Sequence, residues 1–515
     1  CQYLDRSIEM IVGILSIMMA GAVYIPLNPT DPFERRQQLV DQVKAKLILD
    51  NKSVQSSLNG DRDIEQLSHV NVTPESISHI VFTSGSTGVP KGVQIRHRNI
   101  IGYMKAHIIQ TSDIILQMTS SSFDSHLEEI LGSVIRGAQL VVLKPSGHLD
   151  FDYTTKTIHD KNVTYVGPVP SWLNALGKYL HENSHTQTRI SSLQRCSLGG
   201  ETLLSSTINQ ILPFVSEQCQ FFNQYGPAEI TIVATSHEVN REELLSTMTI
   251  PIGNPLPGYC VYLLDEYQQS VVPGEVGEVF IGGVGVFAGY YGRDDLTSKV
   301  LIKINNELCY ATGDLARLDN KSGELIFIGR RDFQIKLRGQ RIELSTIEMA
   351  IIESSIDVLN CIVMKENIDN DDHLVAYVQI KNIVDDCQLQ EMLFNQCKCR
   401  LPTYMIPNKW IFALELPLNV NGKIDRKKLK EIKGIGVGYK KVIMSSLELK
   451  LQDIFMRAFC LSSLPDIETS FSLLGGTSLG AMRALNLIRQ EITENMDIGV
   501  LFANPSVAAL GVALT

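Results

Sequence analysis

The sequence predicts an α/β protein of several domains, and three observations carry that expectation. From residue 8 to about 317, helical patterns alternate with short β-branched runs such as LILD, HIVFT, QLVVL, VTYVG and CSLGG. That alternation is expected of helices laid against sheets. From 252 to 330 the runs shorten and turn signals multiply, as in VPGEVGEVFIGG, which predicts a β-rich lobe. The last ~70 residues predict helices, because apolar side chains recur near every 3.6 positions in LELKLQDIFMRAF and SLGAMRALNLIRQ.

Bulk properties narrow the function. A chain of 515 residues has room for about three or four domains of ~100–200 residues each. With 44% hydrophobic and 20% charged residues, it can bury a large core. The net charge of −10 argues against nucleic-acid binding, which needs a basic face. Of ten cysteines, only Cys397 and Cys399 lie close together, with no second pair at zinc spacing. Reduced thiols in a cytoplasmic protein are expected. Met10–Leu27 carries no charge, yet a membrane helix needs about 20 apolar residues. Gly21 and Pro26 interrupt this run, so it predicts a buried helix followed by a buried strand, with no membrane span. The chain begins at Cys1, close to the start of that helix, which reads as an incomplete N-terminus.

Four loops carry chemistry-grade residues. VFTSGSTGVPKGV (81–93) holds three glycines, four hydroxyl residues and Lys91 between Thr83 and Gly92. It follows an apolar strand-like run, and glycine lets backbone N–H groups converge on an anion. It is not the common P-loop, in which the lysine follows a glycine and precedes Ser or Thr. NQYGPAEITIVAT (223–235) places Glu229 after a tight turn, where a lone carboxylate suits Mg²⁺ beside substrate phosphates. YATGDL (310–315) places Asp314 just past a strand, positioned to take two ribose hydroxyls. NGKIDR (421–426) is a hairpin signal followed at once by Lys423. Each admits an ordinary reading as a solvated turn residue.

Their order and spacing, together with AGAVYIPLNP, SFDS, LGGE, GEVFIGGVGVFAGYY, GRRDFQIKLRGQRIEL and LPTYMIP, resemble the adenylate-forming superfamily. The closest resemblance is to the adenylation domains of nonribosomal peptide synthetases. The resemblance implies a large adenylate-forming lobe of α/β sheets plus a small β-rich lobe, then a small mobile α+β lobe. It implies that ATP and a carboxylate give an acyl-adenylate and pyrophosphate. Thr83, Ser84, Gly85, Ser86, Thr87, Gly88 and Lys91 would form the phosphate loop, and Glu229 would bind Mg²⁺. Tyr225 would stack near adenine, Asp314 would bind the ribose, and Arg330 would lie beside it. Phe327 stands where the family often has Tyr. Lys423 would be the catalytic lysine, whose cation offsets repulsion between carboxylate and phosphate. Asp332 would be the hinge of the small lobe. Ala228 departs from the usual YGPTE and removes a hydroxyl, which implies reduced activity or, at the extreme, a degenerate module that binds nucleotide without turnover.

Asp124, in SSFDSHLEEI (121–130), matches the aspartate that pairs with a substrate α-amino group, a charge-assisted bond. By spacing, the remaining pocket wall is Ser125, Glu128, Gly167, Cys196, Leu198, Gln224, Ile232 and Val233. A carboxylate at Glu128 in an otherwise small, apolar pocket would be costly without a cation. A basic substrate such as ornithine, lysine or arginine is therefore expected, unless Glu128 turns away or the adjacent Glu129 takes its place.

FSLLGGTSLGAMRALNLIRQ (471–490) places Ser478 before an amphipathic helix, an ordinary N-cap position. LGGTSL also resembles the motif of peptidyl carrier domains, in which this serine carries 4′-phosphopantetheine. Thr477 stands where His or Asp is usual. The layout expected is a large lobe over 1–329, a small lobe over 330–432, a linker over 433–444 and a helical-bundle carrier domain over 445–515. Expected partners are an amino acid, a phosphopantetheinyl transferase, and neighbouring condensation, reductase or thioesterase domains, with no nucleic acid and no membrane. An aminoadipate-reductase-like or stand-alone activating enzyme is the alternative.

Overall fold

The computed structural model describes residues 1–58, 69–84, 89–331, 334–337, 340–368, 371–381, 386–417, 426–430, 446–459, 461, 464–465, 467, 469–471 and 478–514. They form two compact units. The first comprises Cys1–Pro29, Arg36–Ser84 and Val89–Arg341, and the second includes Ile342–Thr515.

The first unit is built on three sheets. One has seven strands in the spatial order Gln139–Val142, Ile114–Gln117, Tyr165–Val166, Arg195–Gly199, Gln220–Tyr225, Thr235–Glu238, Asn254–Pro255. The first five run parallel, Thr235–Glu238 runs antiparallel to them, and Asn254–Pro255 runs antiparallel to Thr235–Glu238 in turn. Parallel strands need long crossovers, and the helices Ser125–Arg136, Phe151–Lys161 and Pro170–Glu182 supply them. A second sheet pairs Ile77–Thr83, Lys91–Arg96 and Gly289–Tyr290. The third is the β-rich lobe expected from the turn-dense region. It pairs Tyr259–Leu264, Val276–Gly283, Glu307–Leu318 and Leu301–Ile304, with Leu325–Arg330 added on Glu307–Leu318.

The uncharged run near the start follows the prediction in part: it turns from a helix into an extended segment, but only Met10, Gly13 and Ile14 of the helix are buried and the segment forms isolated bridges rather than a strand. Ser7 caps the helix Ile8–Met19, its hydroxyl accepting from the Met10 N–H at 3.1 Å. Gly21 then turns the chain at φ +68°, a left-handed conformation that glycine adopts without strain. Tyr24 and Pro26 continue as buried bridges to His79 and Gln2. Among the described residues, no helix is long and apolar enough to cross a membrane.

The second unit contains a three-stranded sheet, Val358–Ile368, Asp371–Ile380 and Lys409–Ala413, with helices Leu344–Ile352 and Asp386–Arg400. Its C-terminal part is helical, with Ser446–Ala458, Ser478–Glu491, Ile498–Ala503 and Val507–Ala513. Leu451, Ile454 and Phe455 of the first of these helices, and Ala481, Ala484 and Ile488 of the second, are buried. The Phe459 and Phe471 rings stack at 5.2 Å. Gly480 is required there, because a Cβ would lie 2.4 Å from the Phe459 ring.

Candidate active site

The glycine-rich loop is the turn of a hairpin. Ile77–Thr83 pairs with Lys91–Arg96, and Thr83 and Lys91 are cross-strand partners, so the loop's two ends are fixed by sheet register. Thr83 Oγ1 is enclosed with no partner, an orphan that a phosphate oxygen suits. Lys91 Nζ lies 5.4 Å from the centre of the Tyr290 ring. Ser84 Oγ donates to the Arg341 carbonyl at 2.8 Å. Gly85, Ser86, Thr87 and Gly88 lie outside the described residues.

Glu229 is fully buried in the short turn Ala228–Ile230 that follows the Gln220–Tyr225 strand. Tyr290 Oη donates to its Oε1 at 2.7 Å. Arg341 Nη1 lies 3.2 Å from both of its carboxylate oxygens. Burial alone would raise its pKa, but the charges of Arg341 and Lys91 outweigh burial and hold it below the usual carboxylate range. The turn is a strained one. Thr231 and Ile232 both adopt positive φ, +65° and +69°, uncommon for β-branched residues. Thr231 Oγ1 anchors it by donating to the Gly285 carbonyl at 2.7 Å. Gly226 is obligatory, since a Cβ there would lie 2.4 Å from the Ile232 carbonyl oxygen. Among the described residues no cluster of three or more His, Cys, Asp or Glu is placed to hold a metal. A Mg²⁺ at Glu229 would therefore take its remaining ligands from nucleotide phosphates and water.

Asp314 lies inside the strand Glu307–Leu318, in register with Arg330, rather than just past a strand as expected. The pairing explains the difference: Leu325–Arg330 adds to that strand and prolongs it. Asp314 Oδ2 accepts from Tyr225 Oη at 2.6 Å, and Oδ1 accepts from the Arg330 guanidinium. Each oxygen keeps a further lone pair for a hydroxyl. Phe327 lies 6.2 Å from the Tyr225 ring, and Lys336 Nζ sits 5.5 Å from the centre of the same ring.

Asp124 and Glu128 stand four residues apart at the start of the helix Ser125–Arg136, on one face. Asp124 is half-buried, but its Oδ2 is enclosed and has no partner. Burial, with help from the Glu229 charge, pushes its pKa up to about 6. An unpartnered acceptor with that charge deficit fits a substrate ammonium. The sign fixes a pH dependence. Asp124 must be ionised to meet an ammonium, so kcat/KM for the amino acid should be flat above pH 6. Below pH 6 it should fall about tenfold per unit. A pH profile of amino-acid-dependent pyrophosphate exchange checks this, and a plateau extending down to pH 4.5 would contradict it.

Glu128 is not in apolar surroundings, which corrects the premise for a basic substrate. Tyr103 Oη and Tyr165 Oη each donate to its carboxylate at 2.7 Å. His107 Nε2 lies 3.1 Å from Oε1. Burial raises its pKa, but His107 and the two tyrosines outweigh burial and hold it low. Glu129 is engaged elsewhere, accepting from Gln117, Met118 and Thr119, with burial pushing its pKa up to about 7.

The wall contributed by the Arg195–Gly199 strand also differs from expectation. Successive side chains point to opposite faces. Tyr165 is in register with Arg195, and Gly199 with Gln224, so Ser197 and Gly199 share the face of Tyr165 and Gln224. Ser197 Oγ donates to Gln224 Oε1 at 2.5 Å. Cys196 and Leu198 point to the opposite face, where the Cys196 thiol meets that of Cys219. The spacing argument was one residue out of phase with the pleat. Gln224 Nε2 is enclosed with no partner. A Cβ on Gly167 would make only ordinary van der Waals contact, at 3.9 Å, with the Tyr165 ring and the Ser197 carbonyl oxygen. Ser125 is half-buried, and Ile232 and Val233 are buried, following the strained turn.

Lys423 and Asp332 lie outside the described residues. Ser478 is the first residue of the helix Ser478–Glu491. Sequence reasoning missed Tyr103, His107, Tyr165, Ser197, Tyr290, Lys336 and Arg341. The last three sat inside blocks noted above. The others carry no local signal, because only the folded chain sets the end of the helix His97–Ala106, with Tyr103 and His107, beside the strands that hold Tyr165 and Ser197.

Comparison with known proteins identifies the families of the two parts of the chain. Residues 2–291 match the family described as AMP-binding enzyme, and residues 450–513 match the phosphopantetheine attachment site family. Zwittermicin A synthase ZmaJ of Bacillus cereus is 36% identical, covering 82% of this chain and 83% of its own length. Tyrocidine synthase 3 of Brevibacillus parabrevis is 32% identical over 98% of this chain, and the chain spans 8% of that protein. Among solved structures, PA1221, an NRPS protein containing adenylation and PCP domains, superposes with a TM-score of 0.81 at 24% identity, over 99% of this chain and 87% of its own. The Vibrio cholerae adenylation domain AlmE superposes with a TM-score of 0.70 at 24% identity, over 84% of this chain and 88% of its own. At those identities the structural likeness shows the fold alone.

Proposed function

Because the chain belongs to the AMP-binding enzymes, the adenylate-forming ligases, and carries a phosphopantetheine attachment domain, we propose that it is the activating and carrier portion of a nonribosomal peptide synthetase. Its cosubstrate is ATP, and Mg²⁺ and a covalent 4′-phosphopantetheine are its cofactors. In this reading an amino-acid carboxylate oxygen attacks the ATP α-phosphorus, the bond to the β-phosphate bridge breaks, and pyrophosphate leaves. The pantetheine sulfur then attacks the acyl carbon and AMP leaves. Thr83, Ser84, Lys91 and the loop Gly85, Ser86, Thr87 and Gly88 take the β- and γ-phosphates. Glu229 takes the metal. Tyr225, Phe327, Asp314 and Arg330 hold the nucleoside. Lys423 bridges carboxylate and phosphate, Asp332 serves as the hinge, and Ser478 carries the arm. Charge develops on phosphate oxygens in the transition state, and preplaced donors there supply most of the rate.

The observation that carries the amino-acid reading is the enclosed, unpartnered Oδ2 of Asp124. The proposed layout is a large lobe over 1–329, a small lobe over 330–432, a linker over 433–444 and a carrier over 445–515. A phosphopantetheinyl transferase and adjoining synthetase domains are the proposed partners.

For the side chain, the wall at Ser197, Gly199, Gln224 and Tyr165 supports an amino acid whose polar end hydrogen-bonds the Gln224 amide. A basic side chain is the second reading: it rests on the Glu128 carboxylate beside the wall residue Tyr165, although that carboxylate already meets two tyrosine hydroxyls and His107. Pyrophosphate exchange with each amino acid in turn decides between them. Highest turnover with a neutral polar amino acid supports the first, with ornithine, lysine or arginine the second. Exchange with none of the amino acids would overturn both.

A further inference from the structure

We infer that Arg341 is a built-in competitor of the metal–nucleotide, an internal cation that occupies the Glu229 carboxylate until Mg²⁺–ATP displaces it. This rests on the assignment of Glu229 to the metal. One residue takes two groups of that site. The Arg341 guanidinium lies 3.2 Å from both oxygens of the fully buried Glu229, and the Arg341 carbonyl accepts the hydroxyl of Ser84 at 2.8 Å. The guanidinium is aimed from behind, since its Nε donates to Gln334 Oε1 at 2.8 Å, from the partner strand of Gln340–Glu343.

A fully buried carboxylate needs a cation, and here Arg341 provides it. A Mg²⁺ bonded to the same carboxylate would sit at about 2.0–2.1 Å from an oxygen. A guanidinium in contact with both oxygens occupies that space and repels the ion. The two cations therefore exclude each other. Whenever no metal is held at Glu229, Arg341 is placed to neutralise it.

The test is calorimetric binding of a non-hydrolysable Mg²⁺–ATP analogue to the full chain and to three variants. Arg341→Gln should bind about tenfold tighter than the parent, because the competitor is gone. Arg341→Lys, which keeps the charge but not the two-oxygen contact, should tighten binding to a lesser degree and covers the case in which Arg341→Gln does not fold. Glu229→Gln should weaken binding. Unchanged or weaker binding in both Arg341 variants, with Glu229→Gln still weakened, overturns the inference and leaves the metal assignment standing. Unchanged binding in Glu229→Gln overturns the metal assignment and the inference with it.

Discussion

Replacing Asp124 with Asn is expected to lower kcat/KM for the amino acid by roughly 30- to 5,000-fold, from the ~2–5 kcal/mol lost when one partner of a buried charged pair is removed. The isosteric amide keeps the shape of the pocket but offers no negative charge to an ammonium. Affinity for ATP should change little by comparison. The same substitution should stabilise the free protein. Burial raises the folded-state pKa of Asp124 from 3.8 to about 6, so the folded protein holds the proton more tightly than the unfolded chain does. Stability is therefore lost as pH rises between those values. At about 1.4 kcal/mol per pH unit, the loss at neutral pH is roughly 3 kcal/mol. Asn never ionises and removes it. Denaturant unfolding at pH 7, paired with exchange kinetics, measures both effects. A variant that is less stable and equally active would sink the role given to Asp124.

The second large effect concerns the carrier. Ser478→Ala should abolish covalent loading entirely while leaving amino-acid-dependent pyrophosphate release in place, because activation and carriage reside in different parts of the chain. Ser478 opens a helix whose buried face is Ala481, Ala484 and Ile488, and loss of a helix-capping hydroxyl ordinarily costs only about 0.5–2 kcal/mol. Folding should survive. Intact mass after incubation with a phosphopantetheinyl transferase and CoA reads the result. A pantetheine adduct on the variant would place the arm elsewhere.

The fold was largely legible because it depends on local periodicity. Alternating patterns foretold the α/β body, the turn-dense region foretold the β-rich lobe, and Gly21 marked the end of the first helix. The proposed nucleotide residues could be named from sequence because each lies in a short block whose chemistry is contiguous, although Tyr225, Asp314, Phe327 and Arg330 fall in strands rather than loops. Asp314 was misplaced relative to its strand because strand ends depend on a pairing partner, Leu325–Arg330, that sequence periodicity does not reveal. The pocket was read least well. Cys196 and Leu198 were assigned from spacing, but which face a strand residue takes is fixed by register with Tyr165 and Gln224, and a slip of one residue reverses it. Glu128 was misjudged because its partners are distant in sequence: Tyr103 and His107 reach it from the end of one helix and Tyr165 from a sheet strand. Arg341 lay in plain view in GRRDFQIKLRGQRIEL, yet only the folded chain brings it to Glu229.

The measurement that tests the central claim most directly is the intact mass of the whole chain after incubation with a phosphopantetheinyl transferase, CoA, ATP, Mg²⁺ and a pool of amino acids. The account predicts two successive increments, one for the pantetheine arm on Ser478 and one for a single aminoacyl residue, whose mass names the substrate. A pantetheine increment with no second step, under conditions where ATP is bound, would contradict it and leave a carrier beside a domain that does not activate amino acids.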